Sequence, residues 1–229
     1  MRYLGGKSRI AKQLTAVIDQ YREPGQWVWD PFCGGLSMAV ALSAKGPVLA
    51  SDANAALIAL YQAVRGGWQP PTTSTREQRD AALALPDSDP LKAFLRIGCG
   101  FAGNWSSGHA HSQSRNYAAE TGRALTADVP RIAQFAVIDW LEVEPHATGM
   151  VLYLDPPYRG TTGYAATGHF DHVRFDARAR EWAAFGPVFV SEYDFPGGIE
   201  IWSRSQVTTV ARAKAAYRPA TERLYLVQP

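Results

Sequence analysis

The stretch Trp27-Val28-Trp29-Asp30-Pro31-Phe32-Cys33-Gly34-Gly35 is followed by an alanine-rich segment and then by Pro47-Val48-Leu49-Ala50-Ser51-Asp52. This pattern predicts a strand, a glycine turn, a helix from about residue 36 to residue 44 and a second strand. A strand, a crossover helix and a strand in so short a span are typical of a parallel sheet. The sequence therefore predicts an α/β fold with Asp30 and Asp52 at the carboxyl ends of strands, where such sheets bind ligands.

Further strands and helices can be predicted outward from this unit. The apolar run from Val151 to Leu154 is typical of a buried central strand, and it ends abruptly at Asp155. Other segments predict a buried strand (187–191), a helix (176–184) and two late edge strands (207–210 and 224–227).

A helical lobe is predicted in the middle of the chain. Residues 75–85 and 89–98 carry apolar side chains at helical spacing, and they lie between loop-like segments at 66–71 and 100–116. We expect one catalytic domain formed by residues 1–66 and 132–229, with residues 67–131 as an inserted, mostly helical lobe.

Size and composition limit the class of protein. The chain has 229 residues, 46% of them hydrophobic and 19% charged, with a net charge of +2. No apolar run approaches the roughly 18 residues that span a bilayer, and the start has no signal-peptide core. We expect a soluble, cytoplasmic protein without membrane contact. Two stretches, 92–131 and 203–220, are enriched in Lys and Arg and are either basic binding surfaces or ordinary solvated faces.

No metal site is expected. Cys33 and Cys99 are too few for a disulfide framework or a four-cysteine site, and they are interpreted as reduced thiols. His109 and His111 form a pair without a nearby Cys or acid that could complete a metal site.

Two segments that contain a glycine pair could contribute to a ligand site. Gly34 and Gly35 let a ligand approach the backbone, and Asp52 could accept hydrogen bonds from ribose hydroxyls. By themselves these features suit a nucleotide site and an ordinary tight turn equally. Gly5-Gly6-Lys7 could bring an amino-terminal loop to the same strand ends, although a mobile terminus is the simpler interpretation; the spacing of a phosphate-binding loop is absent.

The segment Asp155-Pro156-Pro157-Tyr158 is the most specific signal. An exocyclic amine of adenine is a poor nucleophile because its lone pair is delocalised into the ring. An ionised Asp155 and the carbonyl of Pro156 could each accept one amino hydrogen and leave the lone pair facing an electrophile. Pro156 and Pro157 would hold that carbonyl in place, and Tyr158 offers a face for stacking a base. A proline turn with a capping acid is the structural alternative.

Taken in order, the four motifs resemble those of the D12 class, alpha-group DNA adenine methyltransferase (Dam) family. They are Tyr3-x-Gly5-Gly6-Lys7, Asp30-Pro31-Phe32-x-Gly34-Gly35, Asp52 and Asp155-Pro156-Pro157-Tyr158, and they span residues 3–158. The joint order is far more specific than any single motif.

The resemblance implies a Rossmann-like methyltransferase sheet that binds S-adenosylmethionine and methylates the N6 amine of an adenine flipped out of double-stranded DNA. It makes Tyr3, Lys7, Asp52 and Asp155 cofactor contacts, with Phe32, Gly34 and Gly35 as walls of the same pocket. Asp139, at the end of a predicted strand 135–138, could contact the cofactor or serve as a cap. Residues 188–193 are similar to a later strand motif that shapes the base pocket.

The chain departs from the family pattern in two places. Leu36 stands where the family usually has a second glycine, and the usual recognition hairpin is replaced by the segment from Phe101 to Tyr117. That segment offers side chains for base edges and phosphates, and the predicted nucleic-acid contacts are Asn104, Trp105, Arg115 and Asn116. A surface loop with no specific role is the alternative.

Other functions remain open at this point. The chain could methylate another planar amine or amide, such as cytosine N4, RNA adenine or a protein glutamine. It could also be an inactive DNA-binding module of the same fold. The target sequence, the oligomeric state and a restriction endonuclease companion cannot be inferred from the sequence.

Overall fold

The computed structural model describes residues 1–144, 149–160, 170–206 and 220–229. In this part of the chain seven strands form one sheet: β1 (Val28–Asp30), β2 (Val48–Asp52), β3 (Gln134–Val137), β4 (Val151–Leu154), β5 (Val188–Glu192), β6 (Ile199–Gln206) and β7 (Ala220–Val227). Their order across the sheet is β3-β2-β1-β4-β5-β7-β6. Strands β1 to β5 are parallel, and β7 is antiparallel to both β5 and β6. This arrangement confirms the predicted Rossmann-like α/β sheet.

The predicted strand, turn, helix and strand are all present. Helix α2 (Ser37–Leu42) connects β1 to β2, and Asp30 and Asp52 are the last residues of these two strands. Strand β4 lies between β1 and β5 with all four residues buried, as expected of a central strand. The predicted strand at 187–191 is confirmed as β5.

The predictions at the carboxyl end need correction. Residues 224–227 belong to a strand, but β7 lies between β5 and β6, so the prediction of an edge strand there is wrong. The edge is β6, which the sequence analysis missed because its second half, from Ser203 to Gln206, is wholly polar. The predicted strand 207–210 and the basic residues Arg212, Lys214 and Arg218 lie outside the described residues.

The helices are α1 (Ala11–Ile18), α2, α3 (Ala55–Arg65), α4 (Arg76–Ala81), α5 (Pro90–Ala93), α6 (Tyr117–Asp128) and α7 (His172–Ala183). Side chains at their starts accept backbone N–H groups: Asn54 before α3, Asn116 before α6 and Asp171 before α7. Because Asp171 caps α7, this helix begins at His172, four residues before the predicted start.

The apolar core is divided between the two faces of the sheet. Alternate residues of one strand belong to different clusters: Val151 and Tyr153 pack with α1, α2 and α3, whereas Leu152 and Leu154 pack with α7. Successive side chains of a strand point to opposite faces, so helices must cover both faces to bury these apolar side chains. Helices therefore cover both faces of the sheet.

Residues 67–131 contain the predicted helical elements. Helix α4 is followed by a 3-10 turn (Ala82–Ala84), and α5 continues into a π-helical turn (Phe94–Gly98) before α6. Arg79 and Arg96 are buried here, and both donate to the carbonyl of Trp105. The helical insertion is confirmed, and its treatment as a separate lobe with these boundaries stays a prediction.

Candidate active site

A cavity of about 560 Å³ opens at the carboxyl ends of β1, β2 and β4. Asp30 and Asp52 end β1 and β2, and Asp155 follows β4 directly, so the strand order brings all three carboxylates to this cavity. A cavity of this size is in the range of small-molecule sites. Its described lining includes five aspartates and two cations: Asp30, Asp52, Asp139, Asp155 and Asp171, with Lys7 and Arg174.

The residues predicted to contact a cofactor come together here. Tyr3, Lys7, Phe32, Gly34, Gly35, Asp52, Asp139 and Asp155 all line the cavity. They come from five separate segments of the chain. The structure thus gathers them at one place, and their contact with a cofactor stays a prediction.

The glycine turn after β1 lets Tyr3 pack directly against the backbone. A Cβ on Gly35 would lie 2.6 Å from the Cβ of Tyr3, and one on Gly34 would lie 2.9 Å from the Tyr3 ring. Gly34 has a φ of 41°, which favours glycine. The hydroxyl of Tyr61 donates to the carbonyl of Gly34 and holds the turn from α3.

Asp52 fastens the same turn to β2. Its Oδ2 accepts the N–H of Gly34 at 3.1 Å, and its Oδ1 accepts the N–H of Asn54 at 2.9 Å. Burial raises the pKa of Asp52 to about 6, and these two hydrogen bonds oppose the rise. The carboxylate therefore supports the turn and also faces the cavity.

Leu36, which departs from the family pattern, has an unusual backbone conformation. Its φ is 66°, in the left-handed region, and its side chain is buried in the apolar core. A glycine usually stands at such a position because other side chains are strained there. Leu36 is not among the described residues that line the cavity.

The amino-terminal segment packs against the strand ends. The N–H of Leu4 donates to the carbonyl of Gly103 at 3.2 Å, and Lys7 is 7% exposed. The interpretation as a mobile terminus is therefore wrong. The segment instead places the Lys7 ammonium at the floor of the cavity.

Lys7 lies between two carboxylates. Its Nζ is 2.7 Å from Oδ1 of Asp155 and 3.2 Å from Oε1 of Glu222, and it donates to the carbonyl of Gly5 at 3.1 Å. The pKa of Lys7 is raised by Asp155 and Glu222 despite the opposing effect of burial. Burial raises the pKa of Asp155 to about 6, and Lys7 limits that rise.

The segment Asp155 to Tyr158 is only partly at the cavity. Asp155 and Pro157 are among its lining residues, whereas Pro156 and Tyr158 are not in the described lining. The Tyr158 hydroxyl donates to Oε1 of Glu222 at 2.9 Å, and it lies 3.0 Å from Oγ of Ser191, within hydrogen-bond distance. The Lys7 ammonium lies 4.6 Å from the centre of the Tyr158 ring. Stacking of a base on that ring stays a prediction.

Asp139 and Trp140 follow β3 and line the cavity. Oδ1 of Asp139 accepts the N–H of Leu141 at 2.9 Å, which is a cap of the next 3-10 turn. Trp140 packs on Phe170 and Phe175. The cap is therefore confirmed, and the contact of Asp139 with a cofactor stays a prediction.

The predicted nucleic-acid residues fall into two places. Asn104 and Trp105 line the cavity, and the buried arginines of the helical insertion hold their carbonyls. Arg115 is exposed and pairs with Glu120 at 3.0 and 2.5 Å. Asn116 caps α6, and its amide donates to the carbonyl of Thr72. Asn116 thus has two partners within the protein.

The acidic residues of the site that were not among the predicted contacts include Asp171, Asp30 and Glu222. Asp30 is buried, and its pKa is raised well above the usual value by burial and by Asp155. The sequence predicted its position at the strand end beside Asp52 but gave it no contact with a ligand. Glu222 comes from β7, and because it carries no local motif, nothing in the sequence identified it.

Within the described residues, no cluster of three or more His, Cys, Asp or Glu side chains could hold a metal ion. The helices described there include none that is long and apolar enough to cross a membrane.

Comparison with solved structures gives similarities of low identity. The chain resembles magnesium protoporphyrin IX methyltransferase from Synechocystis PCC 6803, crystallised with bound SAM, at 11% identity and a TM-score of 0.43, over 97% of this chain and 80% of that one. It also resembles Thermoplasma acidophilum 1320, at 12% identity and a TM-score of 0.45, over 97% of this chain and 95% of that one. The strand order itself defines the fold.

Comparison with curated proteins gives no match. Comparison with family models gives one over residues 3–83, which contain the amino-terminal segment, the glycine turn and Asp52. That range of the chain matches the family described as D12 class N6 adenine-specific DNA methyltransferase, as its motifs predicted.

Proposed function

We propose that this chain is a site-specific DNA methyltransferase that transfers a methyl group from S-adenosylmethionine to the N6 amine of adenine. The observation that carries the proposal is the convergence of the glycine turn, Asp52 and Asp155 on one cavity at the strand ends. The family match over residues 3–83 supports the same reaction.

The cavity suits S-adenosylmethionine in shape and charge. Tyr3, Gly34 and Gly35 form one wall of the cavity, and the Asp52 carboxylate in its lining would accept hydrogen bonds from ribose hydroxyls. The excess of aspartates favours a ligand with a cationic sulfonium and ammonium. When bound, the cofactor supplies an electrophilic methyl group.

Asp155 and Pro156 would activate the amine. The pKa of Asp155 is about 6, so the carboxyl is mostly ionised at neutral pH and can accept an amino hydrogen. The carbonyl of Pro156 would accept the second hydrogen. These two acceptors hold the nitrogen with its lone pair directed to the methyl group, which stabilises the charge that develops during transfer.

Double-stranded DNA is the proposed partner, with the target base extruded from the stack into the cavity. An adenine within a duplex cannot reach a carboxylate at the end of β4, so extrusion is required. Asn104 and Trp105, at the cavity, and Arg115, on the surface, are proposed DNA contacts.

Transfer of radiolabelled methyl groups to DNA tests the proposal. The purified protein is incubated with labelled S-adenosylmethionine and unmethylated duplex DNA, and the digested DNA is separated into nucleosides. We expect the label in N6-methyl-2′-deoxyadenosine. Parallel reactions with adenine-free duplex DNA, RNA and protein acceptors separate this function from methylation of another amine or amide.

Asp155→Ala identifies the catalytic carboxylate. We expect transfer to fall by about 100-fold or more, because an acceptor used in the reacting geometry is lost. The fold should persist, since Lys7 keeps Glu222 as a partner. Asp87→Ala, an exposed acid paired with Lys92, serves as the matched control. DNA binding without label transfer by the wild type would instead indicate an inactive binding module.

A further inference from the structure

Glu222 is a carboxylate of the site that belongs to none of the four motifs. It lies on β7, its side chain is 13% exposed, and it contacts both Lys7 and Tyr158. The antiparallel insertion of β7 beside β5 brings it there: Leu224 pairs with Ser191, and Oγ of Ser191 lies 3.0 Å from the Tyr158 hydroxyl. Thus the ends of β5 and β7 hold the same tyrosine.

Three oxygens lie within 3.2 Å of the Lys7 ammonium. The Gly5 carbonyl accepts a hydrogen bond at 3.1 Å, and the carboxylates of Asp155 and Glu222 form ion pairs at 2.7 and 3.2 Å. With Glu222 present, the positive charge of Lys7 is shared between two carboxylates. Without it, the charge would pair with Asp155 alone and weaken Asp155 as an acceptor.

We propose that Glu222 is a positioning residue for methyl transfer: it shares the Lys7 ammonium with Asp155 and fixes the Tyr158 hydroxyl, so that Asp155 keeps its acceptor strength for the substrate amine. This inference rests on the proposed function. Glu222 acts through Lys7 and Tyr158 and need not touch the substrate itself.

The electrostatic part of this role gives a specific signature. Glu222 raises the pKa of Asp155, and Lys7 lowers it. Removing the Glu222 charge therefore lowers the pKa of Asp155, although the rate falls. Other charged and titratable groups surround Glu222 and Asp155. They are Lys7, Tyr158, Tyr153, Asp30, Glu192 and Tyr193.

Glu222→Gln is the test, because the amide keeps the shape and an acceptor for Tyr158 but loses the charge. We expect kcat on duplex DNA to fall about 10- to 100-fold. The KM for S-adenosylmethionine should stay within about twofold, and the acid limb of the kcat profile should move to lower pH. Glu200→Gln is the matched control, since Glu200 lies on the neighbouring strand and pairs with Arg223 at the surface.

The outcomes separate this inference from the proposed function. If the wild type methylates adenine and Glu222→Gln has unchanged kcat, or reduced kcat with an unshifted acid limb, the positioning role is overturned and the proposed function stands. If the wild type transfers no methyl group to DNA, the proposed function itself fails. Should Glu222→Gln not fold, Glu222→Asp decides: we expect reduced kcat with the wild-type acid limb, and full wild-type kcat overturns the role.

Discussion

The ammonium of Lys7 lies 2.7 Å from Oδ1 of Asp155, and both side chains are largely buried. A motif at the amino terminus thus neutralises, in part, the carboxylate that follows β4. Burial alone would raise the pKa of Asp155 further, and Lys7 opposes that rise. The pair links two motifs that the sequence places far apart.

Lys7→Met tests this link. Without the ammonium, the pKa of Asp155 should rise above about 6, so the acid limb of the kcat profile should move to higher pH, opposite to the shift expected for Glu222→Gln. Unpaired buried carboxylates should also reduce the free energy of unfolding by about 3 kcal/mol at neutral pH. Urea denaturation and pH profiles measure both effects, and an unmoved acid limb would contradict the role of Lys7.

The wild-type rate should depend on pH through the same carboxyl. Because the pKa of Asp155 is about 6, kcat should fall about tenfold for each pH unit well below 6 and reach a plateau above about 7. Single-turnover methyl transfer at a series of pH values measures this dependence. A rate that stays constant down to pH 4.5 would exclude an ionised Asp155 from the reaction.

The stability of the fold should decrease with rising pH because of Glu192, whereas kcat should increase with rising pH. Burial raises its pKa from 4.5 to about 7, so the folded state binds more protons than the unfolded state between these values. Its contribution to stability is therefore complete below about pH 4.5 and is lost as the pH rises through 7. The stability of Glu192→Gln relative to wild type should improve from pH 5 to pH 8, by on the order of 2 kcal/mol. Denaturant unfolding at both pH values measures the change, and a constant difference would contradict it.

Leu36 combines a strained backbone with a buried side chain. Leu36→Gly relieves a left-handed cost of about 1–2 kcal/mol but removes a buried leucine worth about 2–5 kcal/mol. We expect a net loss of about 1–3 kcal/mol in thermal or urea unfolding, with cofactor affinity within about twofold of wild type. Ala102→Gly is the control, because Ala102 also has a positive φ, of 56°, but is exposed; it should be more stable by about 0.5 kcal/mol. Equal effects at both positions would contradict this account.

Variants of Arg115 and Glu120 test whether this surface of the protein binds DNA. If Arg115 binds a phosphate, Arg115→Ala should weaken DNA binding and reduce the salt slope by about 1. Glu120→Gln frees Arg115 from its surface ion pair and should strengthen binding at low salt. Binding isotherms at several salt concentrations measure both variants. Unchanged salt slopes would remove Arg115 from the interface.

Local patterns were sufficient for much of the fold and the site. The apolar runs at β1, β4 and β5 are short, wholly buried strands and β2 is mostly buried, so their sequences predict them without knowledge of their neighbours. The carboxyl ends of parallel strands share one edge of the sheet, and this rule alone predicted that Asp30, Asp52 and Asp155 would meet.

What the sequence by itself determined is therefore the α/β sheet, the glycine turn and the set of residues at the strand ends. Only the tertiary structure decided that β7 inserts between β5 and β6, that Lys7 is buried, and that Lys7 pairs with both Asp155 and Glu222. Strand type and turn type depend on neighbours in the chain, whereas strand pairing and buried ion pairs depend on contacts between residues far apart in sequence. Lys7 and Glu222 lie at opposite ends of the chain, and no local spacing can encode their meeting.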